Sequence, residues 1–157
     1  LEPNSPEAHI ALSFVLTQPV VGANLGDRYA EAQTTARRAI QLDPNNPVAH
    51  DQLGVALELS GIIETETENA YRKAVQLDPE FALAYAHLGR LLRRKGMMNE
   101  SSAAYKEAVN RANDVPTMIL VADVMQSQQN FSESEQLLRR ALKEDPKNPT
   151  ALFLLGR

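Results

Sequence analysis

Leu42-Asp43-Pro44-Asn45-Asn46-Pro47-Val48-Ala49-His50 is a pattern that this chain repeats, and the repetition sets its architecture. It returns as Leu77-Asp78-Pro79-Glu80-Phe81-Ala82-Leu83-Ala84-Tyr85 and as Glu144-Asp145-Pro146-Lys147-Asn148-Pro149-Thr150-Ala151-Leu152. A further copy, Leu1-Glu2-Pro3-Asn4-Ser5-Pro6-Glu7-Ala8-His9, opens the sequence. The equivalent alanines Ala39, Ala74, Ala108 and Ala141 lie 35, 34 and 33 residues apart. A fixed period of that size is the mark of a repeat architecture, in which each repeat buries its apolar face against its neighbours. Between the copies the apolar spacing is helical: His50, Leu53, Gly54 and Leu57 fall at i, i+3, i+4 and i+7, and Ala70, Tyr71, Ala74, Val75 and Leu77 make the stripe of the next helix. The spacing predicts helices over 6–18, 27–42, 47–60, 64–77, 82–95, 99–112, 116–128, 131–144 and 149–157, and no strand.

Glycine and proline punctuate this frame. Gly54, Gly89 and Gly156 each follow a leucine at the same place in the pattern. Glycine inside a helix costs about 1 kcal/mol against alanine, so its recurrence predicts a close backbone approach. Gly26, Gly61 and Gly96 are expected to end helices. All the prolines except Pro19 stand near junctions, where they start a helix or stop one.

Composition narrows the possible chemistry. The chain has 157 residues, with 16 Lys and Arg against 20 Asp and Glu, a net charge of −4. That balance argues against nucleic acid, whose phosphates need a basic face. With no cysteine there is no disulfide framework, thiolate zinc site or cysteine nucleophile. Apolar runs are far shorter than the ~20 residues a membrane span needs. No charged leader opens the sequence.

The period and its residues resemble the tetratricopeptide repeat, whose signature runs aromatic, Leu-Gly, Tyr, Ala, aromatic, Ala and a closing Pro. Successive copies read His9, Leu12, Ser13, Leu16, Ala32, Ala36, Ala39 and Pro44; His50, Leu53, Gly54, Leu57, Thr67, Tyr71, Ala74 and Pro79; Tyr85, Leu88, Gly89, Leu92, Ser101, Tyr105 and Ala108; and Met118, Val121, Ala122, Met125, Ser134, Leu138, Ala141 and Pro146. The resemblance implies an all-α, right-handed α-solenoid of antiparallel helix pairs. A single domain over 1–157 is expected, with repeats near 6–46, 47–81, 82–114 and 115–148 and the first helix of a fifth at 149–157. The first repeat carries extra residues, Pro19 to Leu25, and the third has Ala112-Asn113-Asp114 where a proline is expected. Both ends are in phase with the period, so the sequence reads as a piece of a longer array, with uncapped ends that could stack on identical chains.

No catalytic or metal-binding constellation emerges, and no cofactor is implied. Of His9, His50 and His87, the first two occupy inward positions where the family prefers an aromatic ring, and no His, Glu or Cys spacing suits a metal. Gly22-Ala23-Asn24-Leu25-Gly26 resembles a phosphate loop, but no strand precedes it and no Lys-Ser/Thr follows. Glu64, Glu66 and Glu68 sit at a helix start, where they oppose the dipole.

The resemblance instead implies a concave groove, lined by the first helix of each pair, that holds a peptide or helix of a protein partner. By helix phase its candidate residues are Phe14, Asp51, Gln52, Val55, Glu58, His87, Arg90, Arg93, Arg94 and Asp123, with Ile10, Leu83, Ile119, Leu120, Phe153 and Leu154 beside them. The Lys and Asn positions of relatives that clamp acidic chaperone tails hold Ile10, Phe14, Gln52, Leu83 and His87 here, which disfavours that specialisation. The asparagine ladder of the sugar-transferase relatives is also missing, with Ala11, Gln52, His87 and Leu120 along that row. Arg90, Arg93 and Arg94 repel one another by about 0.2–0.5 kcal/mol per pair. Two arrangements would offset this: lateral pairing with Glu58 and Asp123, or capture of an acidic segment by guanidinium forks. The expected function is a non-catalytic protein-interaction scaffold. The alternatives are a recruiting arm of a larger enzyme and a self-assembling module.

Overall fold

The structure is a computed structural model that describes residues 5–20, 24–62 and 64–156. Among them are nine α-helices and no strand: α1 (Pro6–Thr17), α2 (Leu25–Leu42), α3 (Pro47–Leu59), α4 (Thr65–Leu77), α5 (Ala82–Arg94), α6 (Met98–Arg111), α7 (Val115–Gln126), α8 (Phe131–Glu144) and α9 (Pro149–Leu155). The all-α expectation holds, with helix ends within two residues of the periodicity. The helices form two compact units that divide after Pro79. In the first, α1 pairs with α2 and α3 with α4, and α3 packs on α1 and α2. In the second, α5 pairs with α6 and α7 with α8; α7 lies against α5, and α9 against α7 and α8.

The helix starts follow from short polar side chains placed before proline. Ser5 accepts from Ala8 N–H at 3.1 Å, Asn46 from Val48 and Ala49, and Asn148 from Ala151 at 3.0 Å; a proline follows each cap directly. Each thereby satisfies amide donors that the first turn leaves unpaired. The third junction, which lacks the expected proline, is rebuilt around Asp114. Its carboxylate accepts from Thr117 N–H at 2.9 Å and from the Thr117 hydroxyl at 2.7 Å, with Pro116 inside the first turn.

One turn closes three of the helix pairs. The amides of Ile62, Met97 and Asn130 reach back to the carbonyls of Leu57, Leu92 and Met125 at 3.0, 2.9 and 3.0 Å. The residue before each is left-handed: Gly61 at φ +83°, Gly96 at +79° and Gln129 at +60°. Glycine adopts that conformation without a Cβ penalty, while Gln129 bears one.

Inside each pair, position eight of the first helix meets a side chain of the second. A Cβ on Gly54 would stand 2.5 Å from the Tyr71 ring, and one on Gly89 would stand 2.8 Å from the Tyr105 ring. In the fourth repeat the corresponding pair is Ala122 and Leu138, and in the first it is Ser13 and Ala36; all four of these residues are buried. Small on one helix therefore meets large on the other, except in the first pair, where both are small. A hydroxyl ties the same helices together. Ser101 donates to Gly89 O at 2.8 Å and Ser134 to Ala122 O at 3.0 Å. In the first repeat the donor has changed sides, and Ser13 on α1 donates to Ala32 O on α2 at 3.0 Å.

Four expectations are corrected. Gly26 lies within the first turn of α2 rather than at a helix stop, because Asn24 caps that helix by accepting from Gly26 and Asp27. Gly156 marks no close approach, since the nearest atom to a Cβ there is 3.6 Å away. Leu12, assigned to the inward stripe, is exposed. Helix α2 also begins at Leu25, so the extra residues of the first repeat end at Asn24. Within that segment Val21, Gly22 and Ala23 lie outside the described residues, as do Leu1 to Asn4 of the opening copy.

Candidate functional site

The ten residues singled out by helix phase fall into three environments. Phe14 (52% exposed), Arg94 and Asp123 reach solvent, while Val55, Arg90 and Arg93 are half-buried. Asp51, Gln52, Glu58 and His87 are buried. Glu58 has a structural occupation, because its carboxylate accepts the Tyr71 hydroxyl at 2.9 Å from within the α3–α4 pair. The ring that excludes a side chain at Gly54 is thus also anchored at its far end.

In the first unit, α1 presents Phe14 and Val15 to solvent, and α3 presents Val48 and Leu59 at its ends. The Thr17 hydroxyl turns inward along α1 and donates to Phe14 O at 2.7 Å.

In the second unit, His87, Arg90 and Arg94 fall at i, i+3 and i+7 and share one face of α5, with Arg93 a quarter-turn round. Helix α7 packs on α5 and carries Asp123. None of His87, Arg90, Arg94 and Asp123 lacks a partner. Between α7 and the start of α9 lies an apolar cleft of about 330 Å³, lined by Val115, Pro116, Ile119, Leu120, Asn148 and Thr150. Helix phase indicates Ile119 and Leu120. It misses the rest because they arrive from two capped helix starts, and the Asn148-Pro149 cap that sets α9 is the available signal. At the C-terminal end of α7, Gln126 donates to Leu154 O at 2.9 Å and ties α9 in place.

No group of three His, Asp or Glu suited to a metal ion occurs among the described residues. His50 is held by Pro44 O at 2.9 Å from its Nε2. No described helix is long and apolar enough to cross a membrane.

Two family models, both of the tetratricopeptide repeat, match residues 82–115 and 122–157. With the repeated helix pair and its Gly–Tyr contact, these two matched segments support a tetratricopeptide-repeat protein. Solved structures agree in fold. TTC0263, a thermophilic repeat protein of this family in Thermus thermophilus, superposes with a TM-score of 0.73 at 17% identity, over 99% of this chain and 81% of its own. MamA gives 0.58 at 18% identity, over 93% of this chain and 81% of its own. YrrB, described as a TPR protein with an unusual peptide-binding site, gives 0.54 at 16% identity, over 97% and 75%. No curated protein matches in sequence. The chain is thus an all-α repeat protein of an interaction-scaffold family.

Proposed function

We propose that this protein is a non-catalytic scaffold that holds a short, partly apolar and partly acidic peptide or helix against its first helices. The observation that carries this reading is in the second unit. Three arginines crowd α5, and α7, packed beside it, opens an apolar cleft with α9. A carboxylate-bearing segment would meet guanidinium forks from Arg90, Arg93 and Arg94 while an apolar side chain enters the cleft against Ile119 and Leu120. Phe14 and Val55 offer apolar contacts on the first helices of the first unit, and Asp123 sets a charge limit beside the arginines. The buried Asp51, Gln52, Glu58 and His87 enter the reading as groups that hold α3 and α5. The peptide-binding site named in the description of YrrB supports a peptide as ligand for this fold.

The test is a screen of acidic-apolar peptides against the native chain and an R90E/R93E/R94E variant, with helicity followed by circular dichroism. Binding lost in the variant at unchanged helicity supports the reading; binding that survives charge reversal makes the arginines ordinary surface pairs. A second reading, self-association, is favoured by the apolar residues that α1 and α9 expose, Leu12 and Val15 on one and Leu152 and Phe153 (67%) on the other. Light scattering across a concentration series separates the two, since a strict monomer at high concentration excludes stacking.

A further inference from the structure

The same three-helix crevice, bounded by the second helix of one pair and both helices of the next, occurs within each compact unit. In the second unit it lies among α6, α7 and α8 and is closed. Leu137 and Met118 fill its base, and Arg140 crosses it to donate to Val109 O and Ala112 O, both at 3.0 Å. In the first unit it lies among α2, α3 and α4. Aligning Ala74 with Ala141 puts Ala70 where Leu137 stands and Lys73 where Arg140 stands, and aligning Gly54 with Ala122 on the first helices puts His50 where Met118 stands. Two of these side chains are smaller or more polar, and the third does not cross: Lys73 donates to Gln76 on its own helix at 3.5 Å. The result is an open cleft of about 470 Å³ floored by Ile40, Leu53 and Ala70.

That volume is in the range of ligand pockets. The rim has a definite charge. Arg37 and Lys73 line it, with Glu66 as the opposing carboxylate, and Glu66 is committed to Arg37 at 2.7 Å. A second cleft of about 400 Å³ shares Arg37 and Gln41 with the first and adds Arg38 and His9. Three cations thus face one carboxylate, on a chain whose net charge is −4. An apolar floor under a cationic rim complements an apolar side chain flanked by carboxylates, and the two joined clefts suit an extended segment.

We propose that the α2–α3–α4 cleft is a second peptide-binding site, separate from the first-helix surface, that anchors one large apolar side chain of an acidic, extended partner segment. The experiment follows the methyl groups of Ile40, Leu53 and Ala70 by NMR while adding an acetylated peptide with Leu-Phe between pairs of Asp. Saturable shifts at these methyls are expected. Ala70→Leu restores the residue that closes the sister crevice, so it keeps the fold and should weaken binding by at least about tenfold. An R38E/K73E variant should do the same, and the R90E/R93E/R94E variant should leave these shifts unchanged. Loss of first-helix binding would therefore not imitate loss of this site. Several results overturn the proposal: no shift at millimolar peptide, undiminished binding by the folded A70L protein, or equal binding of the peptide with Lys in place of Asp. Decanoate saturating the same methyls more tightly than the peptide would overturn the peptide assignment in favour of a small amphiphile.

Discussion

Substituting Gly54 by alanine sets two effects against each other. Alanine raises helix propensity by about 1 kcal/mol over glycine in a helix interior. Here the added Cβ would stand 2.5, 2.7 and 2.9 Å from three carbons of the Tyr71 ring. The ring is fully buried, and its hydroxyl is bonded to Glu58 at 2.9 Å, so it cannot swing aside without releasing a buried carboxylate. Overpacking of a filled core costs about 1–3 kcal/mol, and contacts this short belong at the upper end. The net expectation for G54A is a loss of about 2 kcal/mol, opposite in sign to propensity alone. The fourth repeat shows how to relieve it, since there Ala122 faces Leu138. Tyr71→Leu alone should destabilise by removing the ring and its hydrogen bond, yet G54A/Y71L should be better than the sum of the singles. The coupling should reach about 1–3 kcal/mol, within the range for residues in direct contact. Urea unfolding followed by circular dichroism measures all four corners of the cycle. Refutation would be a G54A protein more stable than the native chain, or a coupling energy near zero; either would mean that the ring does not exclude the side chain.

Other consequences follow from single contacts. Gln129→Gly should stabilise by about 1 kcal/mol, because glycine relieves the left-handed residue that the other two turns already give to glycine; thermal unfolding reads the gain. Arg140→Met should cost about 2–3 kcal/mol by stripping charged donors from Val109 O and Ala112 O, and hydrogen exchange should rise first at the end of α6. The Asp114 carboxyl is held below its usual range, first by the Thr117 hydroxyl and then by the Thr117 N–H. Its contribution is therefore present above the unfolded-state value of about 3.9 and is lost as pH falls through the lower folded-state value. The stability gap between native chain and Asp114→Ala should narrow on acidification, and a gap constant with pH would contradict the cap.

Much of the fold is legible because repeat proteins write local physics several times over. The Asn-Pro and Asp-x-Pro starts, the turn glycines and the 3.6-residue spacing each depend on neighbours within one helical turn, so the sequence contains both partners. Gly54 and Gly89 are readable for the same reason: a residue that penalises a helix and yet recurs implies something pressed against it. Gly26 misleads because Asn24, two residues earlier, caps the helix that Gly26 enters.

Less of the candidate site can be read this way. Helix phase identifies a face but not what covers it, so it groups exposed Phe14 and Asp123 with buried Asp51, Gln52, Glu58 and His87. Burial depends on side chains supplied from distant parts of the chain, as Glu58 shows in its bond to Tyr71. The sequence by itself determined the helices and their repeat, since these rest on short-range periodicity and capping, while their antiparallel pairing is what the resemblance to the tetratricopeptide repeat implies. Only the tertiary structure decided which crevices close. Ala70 looks as helical as Leu137, and Lys73 as basic as Arg140. Whether such residues fill a space or leave it open depends on the distance to a helix about thirty residues earlier, which no local pattern encodes.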